Sequence, residues 1–373
     1  MLSCSTTTGS SPPSDAGAKD SGAADAAIPD AAAKGPLYAF TGSSDGQIRV
    51  FQVDAAAGTL TPKGATAAGA NPSFLAVDTR NSRVFAVDET NSEVLAFGFD
   101  PQTAAFAPRG KTSTLGAGPA HVSVNPTGSS VLVANYGGGS VAVFPVLGDG
   151  TLGAASDSKA PGAKAHLIIT SASGAYAFVP CLGANTIAQY VFGSGKLTAN
   201  TPASVSPPAG AGPRHLAFHP SDKWAFGINE LASSMTTYAY DAATGRLTPQ
   251  ATVSTLPPGT TTPNTGAEVA VHPGGGYVYG SNRGLDAIAI FAVDAATGAL
   301  TLTGNEPTRG QVPRSFGIDD TGTLLVVANQ RTAATPNQGN LVVFKIGAGG
   351  TLTMVGTPIV GVGSPAFVGL FRF

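Results

Sequence analysis

Apolar residues fall in short bursts along this chain, and almost every burst is bounded by Gly, Pro, Asn or Asp. Val, Ile, Phe, Thr and Tyr dominate the bursts, and long amphipathic runs at helical spacing are missing. The pattern predicts many short strands joined by tight turns. One order of events recurs. A small residue or Pro is followed by alternating apolar residues, a Gly, Asn or Asp turn, and a second, a third and a fourth apolar run. GPAHVSVNPTGSSVLVANYGGGSVAVFPV (118–146), GPRHLAFHPSDKWAFGINELASSMTTYAY (212–240) and GAEVAVHPGGGYVYGSNRGLDAIAIFAVD (266–294) show it side by side. The repeats start at Pro72, Pro119, Ala165, Pro213, Ala267, Pro313 and Pro365, with steps of 47, 46, 48, 54, 46 and 52 residues. Seven starts at a near-constant period, each with about four strands, predict an all-β, seven-bladed β-propeller with four-stranded blades. The last unit, SPAFVGLFRF (364–373), supplies one strand, and residues 36–64 supply three without an inner one. The C-terminal strand is therefore expected to join the N-terminal blade and close the ring. DAAAGTL, DAATGRL, DAATGAL and GAGGTL read as hairpin turns before outermost strands, with Gly where positive φ is needed.

Composition sharpens this picture. Gly 49 and Pro 28 make about a fifth of the 373 residues, against about 12% in ordinary proteins. Charged residues are 11% and the net charge is −2, which gives no footprint for nucleic acid. No apolar run approaches the ~18 residues of a membrane helix. Two cysteines, Cys4 and Cys181, build neither a disulfide scaffold nor a zinc site, and five His at scattered positions give no metal-ligand spacing. Neither a metal nor a cofactor is therefore expected. Residues 1–35 are Ala, Ser, Gly, Asp and Pro with almost no large apolar side chain, and they read as a disordered tether before a domain over 36–373. Met1-Leu2-Ser3-Cys4 resembles the end of a bacterial lipobox with Cys4 as the lipidated residue. That reading expects a longer precursor and an exported, periplasmic or cell-surface lipoprotein; its alternative is a cysteine in a cytoplasmic tail. A ring closed on itself needs no partner, so a monomer is expected.

Repeat geometry also locates candidate chemistry. In an antiparallel blade, the start of the inner strand and the end of the second strand share one rim. The residues after the inner-strand starts are Ser73, Ala120, His166, Arg214, Glu268, Arg314 and Ala366. The second-strand ends are Glu89, Tyr136, Cys181, Glu230, Arg283 and Gln330, with Gly42 or Ser43 in the closing blade. Six charged side chains and one His at these fourteen positions stand out in a chain that is 11% charged. Convergent polar groups in a concave mouth are what a ligand site needs. The bland alternative is that Arg214 or Arg314 pairs with Glu230 or Glu268 to pin blades together. His121 and His215 lie one residue later, where strand alternation turns them between blades. His219 and His272 precede prolines in far-side turns and read as structural, Trp224 reads as core, and Cys181 has no neighbouring base. Gly137-Gly138-Gly139 joins two strands and is no phosphate loop.

At these motifs the sequence resembles the seven-bladed lactonase family, which includes propeller-type bacterial 6-phosphogluconolactonase and fungal carboxy-muconate cyclase. Pro119-Ala120-His121 with VANYGGGSVAVF (133–144), Gly212-Pro213-Arg214-His215, Asn229-Glu230-Leu231, Ala267-Glu268-Val269, Ser281-Asn282-Arg283-Gly284, Pro313-Arg314 and Ala328-Asn329-Gln330 carry the resemblance. It implies a lactone-opening hydrolase with His166, Arg214, Glu230 and Arg283 as catalytic residues. His121, His215, Glu268, Arg314 and Gln330 are assigned to substrate binding beside them. The implied ligand is a small lactone or anionic sugar acid. The family often shows His-x-His and Asp-Leu-Gly where this chain has Lys164-Ala165-His166 and Cys181-Leu182-Gly183. Two other readings use the same mouth: a non-catalytic cell-surface binding propeller, and a muconate-type lactone cycloisomerase.

Overall fold

The computed structural model describes residues 35–373. The tether and the Cys4 lipidation site lie outside the described residues. Twenty-eight strands form seven four-stranded antiparallel sheets, and one short 3-10 turn is the only helical element among the described residues. The six blades that follow in sequence run from inner to outer strand. The closing blade places Pro365–Arg372 innermost, against Leu37–Ser43, then Gln47–Asp54 and Thr59–Ala67.

Burial explains the burst pattern. Second strands such as Ser130–Asn135 are buried at every residue, because blades cover both of their faces. Outermost strands such as Ala105–Ser113 are mostly exposed and carry the Lys, Arg, Ser and Thr. Seven apolar clusters fill the seven gaps between successive blades, and each draws strands from both neighbours. The closing gap packs Tyr38 and Phe40 against Phe97 and Phe99, with Phe367, Phe371 and Phe373 from the C-terminal segment. Each fully buried large side chain contributes about 1.5–3 kcal/mol, so the last strand is part of the core rather than an appendage. Arg372 adds a two-pronged contact to Asp320 at 2.8 and 2.9 Å.

The Gly of the hairpin turns has a double role. Gly245 and Gly298 have φ of 65° and 69°, as the sequence pattern requires. A Cβ at Gly245 would lie 2.1 Å from the Tyr176 ring, and one at Gly298 would lie 2.5 Å from Trp224. In these two blades the turn is thus seated on an aromatic of the blade before it. Trp224 is half-buried against the Phe226 and Phe291 cluster, close to the expected core role.

One recurring device was not read from the sequence. Asn135, Asn282 and Asn329 close second strands, and their amides donate to the carbonyls of Thr114, Thr255 and Thr308 at 2.9–3.0 Å. Those Thr residues directly follow the outermost strand of the preceding blade, so each Asn latches the chain as it returns to the centre. The visible signal was an Asn before each rim residue in VANY, SNR and ANQ. His219 and His272 are structural, as expected: each reaches the next blade's turn, at Gly275 and Gly322, with 3.0 Å contacts.

Candidate functional site

The inner strands begin with a bulge, and this fixes where every candidate side chain goes. Pro213 pairs with Asn229, but His215 pairs with Ile228, so Arg214 is an extra residue. The same shift occurs at Pro72/Phe74, Pro119/His121 and Pro313/Ser315. A bulge residue leaves the ladder and re-aims its side chain. Here it breaks the alternation, so residues 214 and 215 both serve the channel. This overturns the expectation that His121 and His215 pack between blades. Their rings lie 5.6 Å apart, and Phe74 of a third blade touches both, at 4.3 and 5.8 Å. Three blades that include non-neighbours meet only on the axis.

Two predicted rim positions move by one residue. Gly266, not Ala267, pairs opposite Asn282 as Pro213 does opposite Asn229, so Ala267 is the counterpart of Arg214 and Glu268 that of His215. Glu268 therefore sits one layer below the mouth. Cys181 pairs with Ala165 and is the counterpart of Asn229, not of Glu230. Its side chain is fully buried in the apolar gap between blades, where burial pushes the thiol up to about 12. The same offset moves the closing blade, where Ser43 opposes Pro365.

The remaining candidates converge at the mouth. Glu230 Oε2 lies 3.1 Å from Arg214 Nε, an ion-pair contact rather than an aligned hydrogen bond, and 3.0 Å from Arg283 Nη2. Arg214 Nη1 donates to the Ala267 carbonyl at 2.6 Å, and Arg283 Nη2 to the Gly266 carbonyl at 2.9 Å. Both guanidinium groups are thus oriented by one inner strand, Thr265–Val271, which is in the next blade for Arg214 and in the same blade for Arg283. Arg314 reaches Glu89 at 3.8 Å, on the far side of the closing blade. Of the pairs in the pinning alternative, Arg214 meets Glu230 but within one blade; the contact that joins adjacent blades is Arg283 with Glu230. Gln330 is half-buried and gives its backbone carbonyl to Ser364.

His166 completes the cluster. Its inner strand is regular only over Ile169–Thr170, because Pro180 opposite has no N–H to give the ladder. The His166 amide still donates to the Pro180 carbonyl at 2.9 Å. Its ring is stacked edge-on with Tyr136 at 5.3 Å and with His215 at 5.1 Å. Lys164, at the family's first His position, lies 5.7 Å over the Tyr136 ring. Nδ1 of His166 is buried with no hydrogen-bond partner among the described residues. Burial, then the charges of Arg214, His215 and Arg314, hold His166 well below the ordinary histidine range, so it is a neutral acceptor. Burial also pushes Arg214 down to about 9, with Arg283 and Arg314 adding to the effect; it remains a cation at neutral pH. Among the described residues, no three His, Cys, Asp or Glu side chains form a metal-ligand set. A hollow of about 400 Å³ lies between blades from Asn125 to Gly195, but among the described residues no titratable side chain lines it.

The site is thus a closed propeller's mouth that carries several guanidinium groups, with a neutral imidazole beside them. The chain belongs to the lactonase, 7-bladed beta-propeller family, whose model matches residues 37–370. The 6-phosphogluconolactonase of Pectobacterium carotovorum is 35% identical over 221 residues, 59% of this chain and 66% of that one. That of Bacillus subtilis is 32% identical over 316 residues, 82% of this chain and 88% of that one. Among solved structures, the periplasmic gluconolactonase of Pseudomonas aeruginosa is 27% identical with a TM-score of 0.81, covering 90% of this chain and 99% of that one. No helix among the described residues is long and apolar enough to cross a membrane.

Proposed function

We propose that this protein is a lactone hydrolase of the 6-phosphogluconolactonase type, opening an anionic sugar-type lactone without a metal. The observation that carries the reading is the convergence of Arg214 and Arg283 on Glu230, beside His166, whose neutral form is favoured by burial and by the charges of Arg214 and Arg314. The arginines hold the substrate's anionic group and the oxyanion of the tetrahedral intermediate. His166 takes a proton from the attacking water and returns it to the leaving ring oxygen. Glu230 is the less suitable base, because protonating it would leave two adjacent guanidinium groups unneutralised. Its role is to set their spacing. The family membership and the similarity to lactonases support this reading.

The test is a hydrolysis screen of phosphorylated and unphosphorylated aldonolactones, followed by proton release. Arg214→Ala and the less buried Arg283→Ala are the controls, with folding checked by circular dichroism. Turnover on the phosphorylated lactone, lost in both controls and unchanged by a chelator, is expected. Turnover on unphosphorylated lactones alone would shift the substrate toward that of the periplasmic neighbour. A folded protein that hydrolyses none would leave the anion-binding propeller. Export as a Cys4 lipoprotein belongs to the same proposal, and mass spectrometry of the membrane fraction for a diacylglyceryl group on Cys4 tests it.

A further inference from the structure

Directly below the mouth, Phe74, His121, His215, Glu268 and Phe367, each from a different blade, meet on the axis. Phe74 lies 4.7 Å from Phe367 and 4.3 Å from His121, ring to ring, so this layer is a plug on the axis. Below it opens a cavity of about 320 Å³, lined by Phe74, Val77, Phe316, Phe367 and Phe371 among others. Among the described residues, Glu268 is the only titratable side chain that lines it. The same carboxylate places Oε1 2.7 Å from His215 Nδ1. His215 Nε2 is buried without a partner among the described residues, and its ring touches that of His166 at 5.1 Å. Glu268 and His215 thus bridge the plug, one end on the lower cavity and the other against the mouth. Burying such a pair costs several kcal/mol before its own attraction is counted. Phe74 and Phe367 fill the equivalent place in two blades, so packing alone does not require polar groups here.

We propose that Glu268 and His215 carry the proton released by hydrolysis from the mouth to the lower cavity. The inference rests on the hydrolase reading. In that reaction the water oxygen bonds to the acyl carbon and the ring acyl C–O bond breaks. His166 returns the first proton to the leaving oxygen. The carboxylic acid formed then ionises, and one proton per turnover must leave while the product anion still fills the mouth. A small rotation that brings the His166 ring within hydrogen-bond reach passes it to Nε2 of His215, Nδ1–H of His215 passes to Glu268, and Glu268 releases it to the cavity. Burial pushes the Glu268 carboxyl up to about 7, against Arg214, the Val269 amide, His121 and Arg314, which pull it down. A group titrating there both accepts and releases at neutral pH.

Glu268→Gln is expected to lower kcat about tenfold in dilute buffer with KM unchanged, and small buffers such as imidazole should restore the rate. A merely structural loss would not respond to buffer. Unchanged kcat in dilute buffer, or a loss that no buffer concentration restores, overturns the proposal. Histidine ring resonances of the wild-type protein give a readout that needs no substrate. His215 and His166 should shift with one shared midpoint near that of Glu268, and Glu268→Gln should abolish it. Absence of the shared midpoint also overturns the proposal. A shared midpoint in a protein that hydrolyses no lactone would count against the hydrolase reading instead.

Discussion

Lowering the pH from about 7 to about 5.5 is expected to remove about 2 kcal/mol of folding stability, and the loss originates on the propeller axis. Burial is the first cause that holds His121, His166 and His215 well below the ordinary histidine range. Unfolded histidines titrate near 6.5. Below that pH the unfolded chain binds protons that the fold refuses, so this stability is present above about 6.5 and lost as pH falls. Each histidine that stays neutral in the fold contributes a loss of about 1.2 kcal/mol over the interval. Glu268 has the opposite sign. Its folded value of about 7 lies above its ordinary value of 4.5, so its contribution is present in acid and lost as pH rises through about 7. Over the same interval it returns about 1.5 kcal/mol, and the three histidines outweigh it. The assay is urea unfolding at several pH values, followed by far-UV circular dichroism and by fluorescence of Trp224, the only tryptophan. His121→Phe provides the internal check, because a phenyl ring suits a place flanked by Phe74 and His215. It should lose about 1.2 kcal/mol less than wild type over the same interval. Flat stability from pH 7 to 5.5, or a His121→Phe curve parallel to wild type, would refute the reasoning.

Glu230→Gln should lower turnover about a hundredfold or more by releasing Arg214 and Arg283 from their shared partner; steady-state rates on the best lactone decide it, and an unchanged rate removes the carboxylate from the site. Cys181→Ala should keep turnover within about twofold, since a fully buried thiol with a raised pKa is a poor nucleophile; a loss of decades would return it to the mechanism. Asn329→Ala should cost about 1–3 kcal/mol in denaturant unfolding, because it leaves the Thr308 carbonyl and the Asn340 side chain without their donor.

The blade count, the closing strand and the turn glycines were legible because each answers a local demand. A strand covered on both faces must be apolar throughout, as Ser130–Asn135 is, and a hairpin with positive φ must carry Gly, as at Gly245 and Gly298. The charged mouth was legible for the complementary reason: in a chain that is 11% charged, Arg214, Glu230 and Arg283 interrupt an otherwise small or apolar pattern. What the period did not carry was phase at single-residue resolution. The bulge at each inner-strand start adds one residue, and the repeat spacing absorbs it without trace. Glu268 therefore read as a counterpart of Arg214 when it is a counterpart of His215, and Cys181 read as a rim residue when it is a latch position facing the core. Pairing was hidden for a different reason. Arg314 meets Glu89 across a whole intervening blade, a distance set by ring curvature and not by sequence separation. The same bulge that blurred the phase turns residues 214 and 215 both toward the channel. A regular strand would have sent one of them between blades. The irregularity thus stacks the Arg214 layer on the His215 layer along one axis, and the chemistry proposed above depends on both.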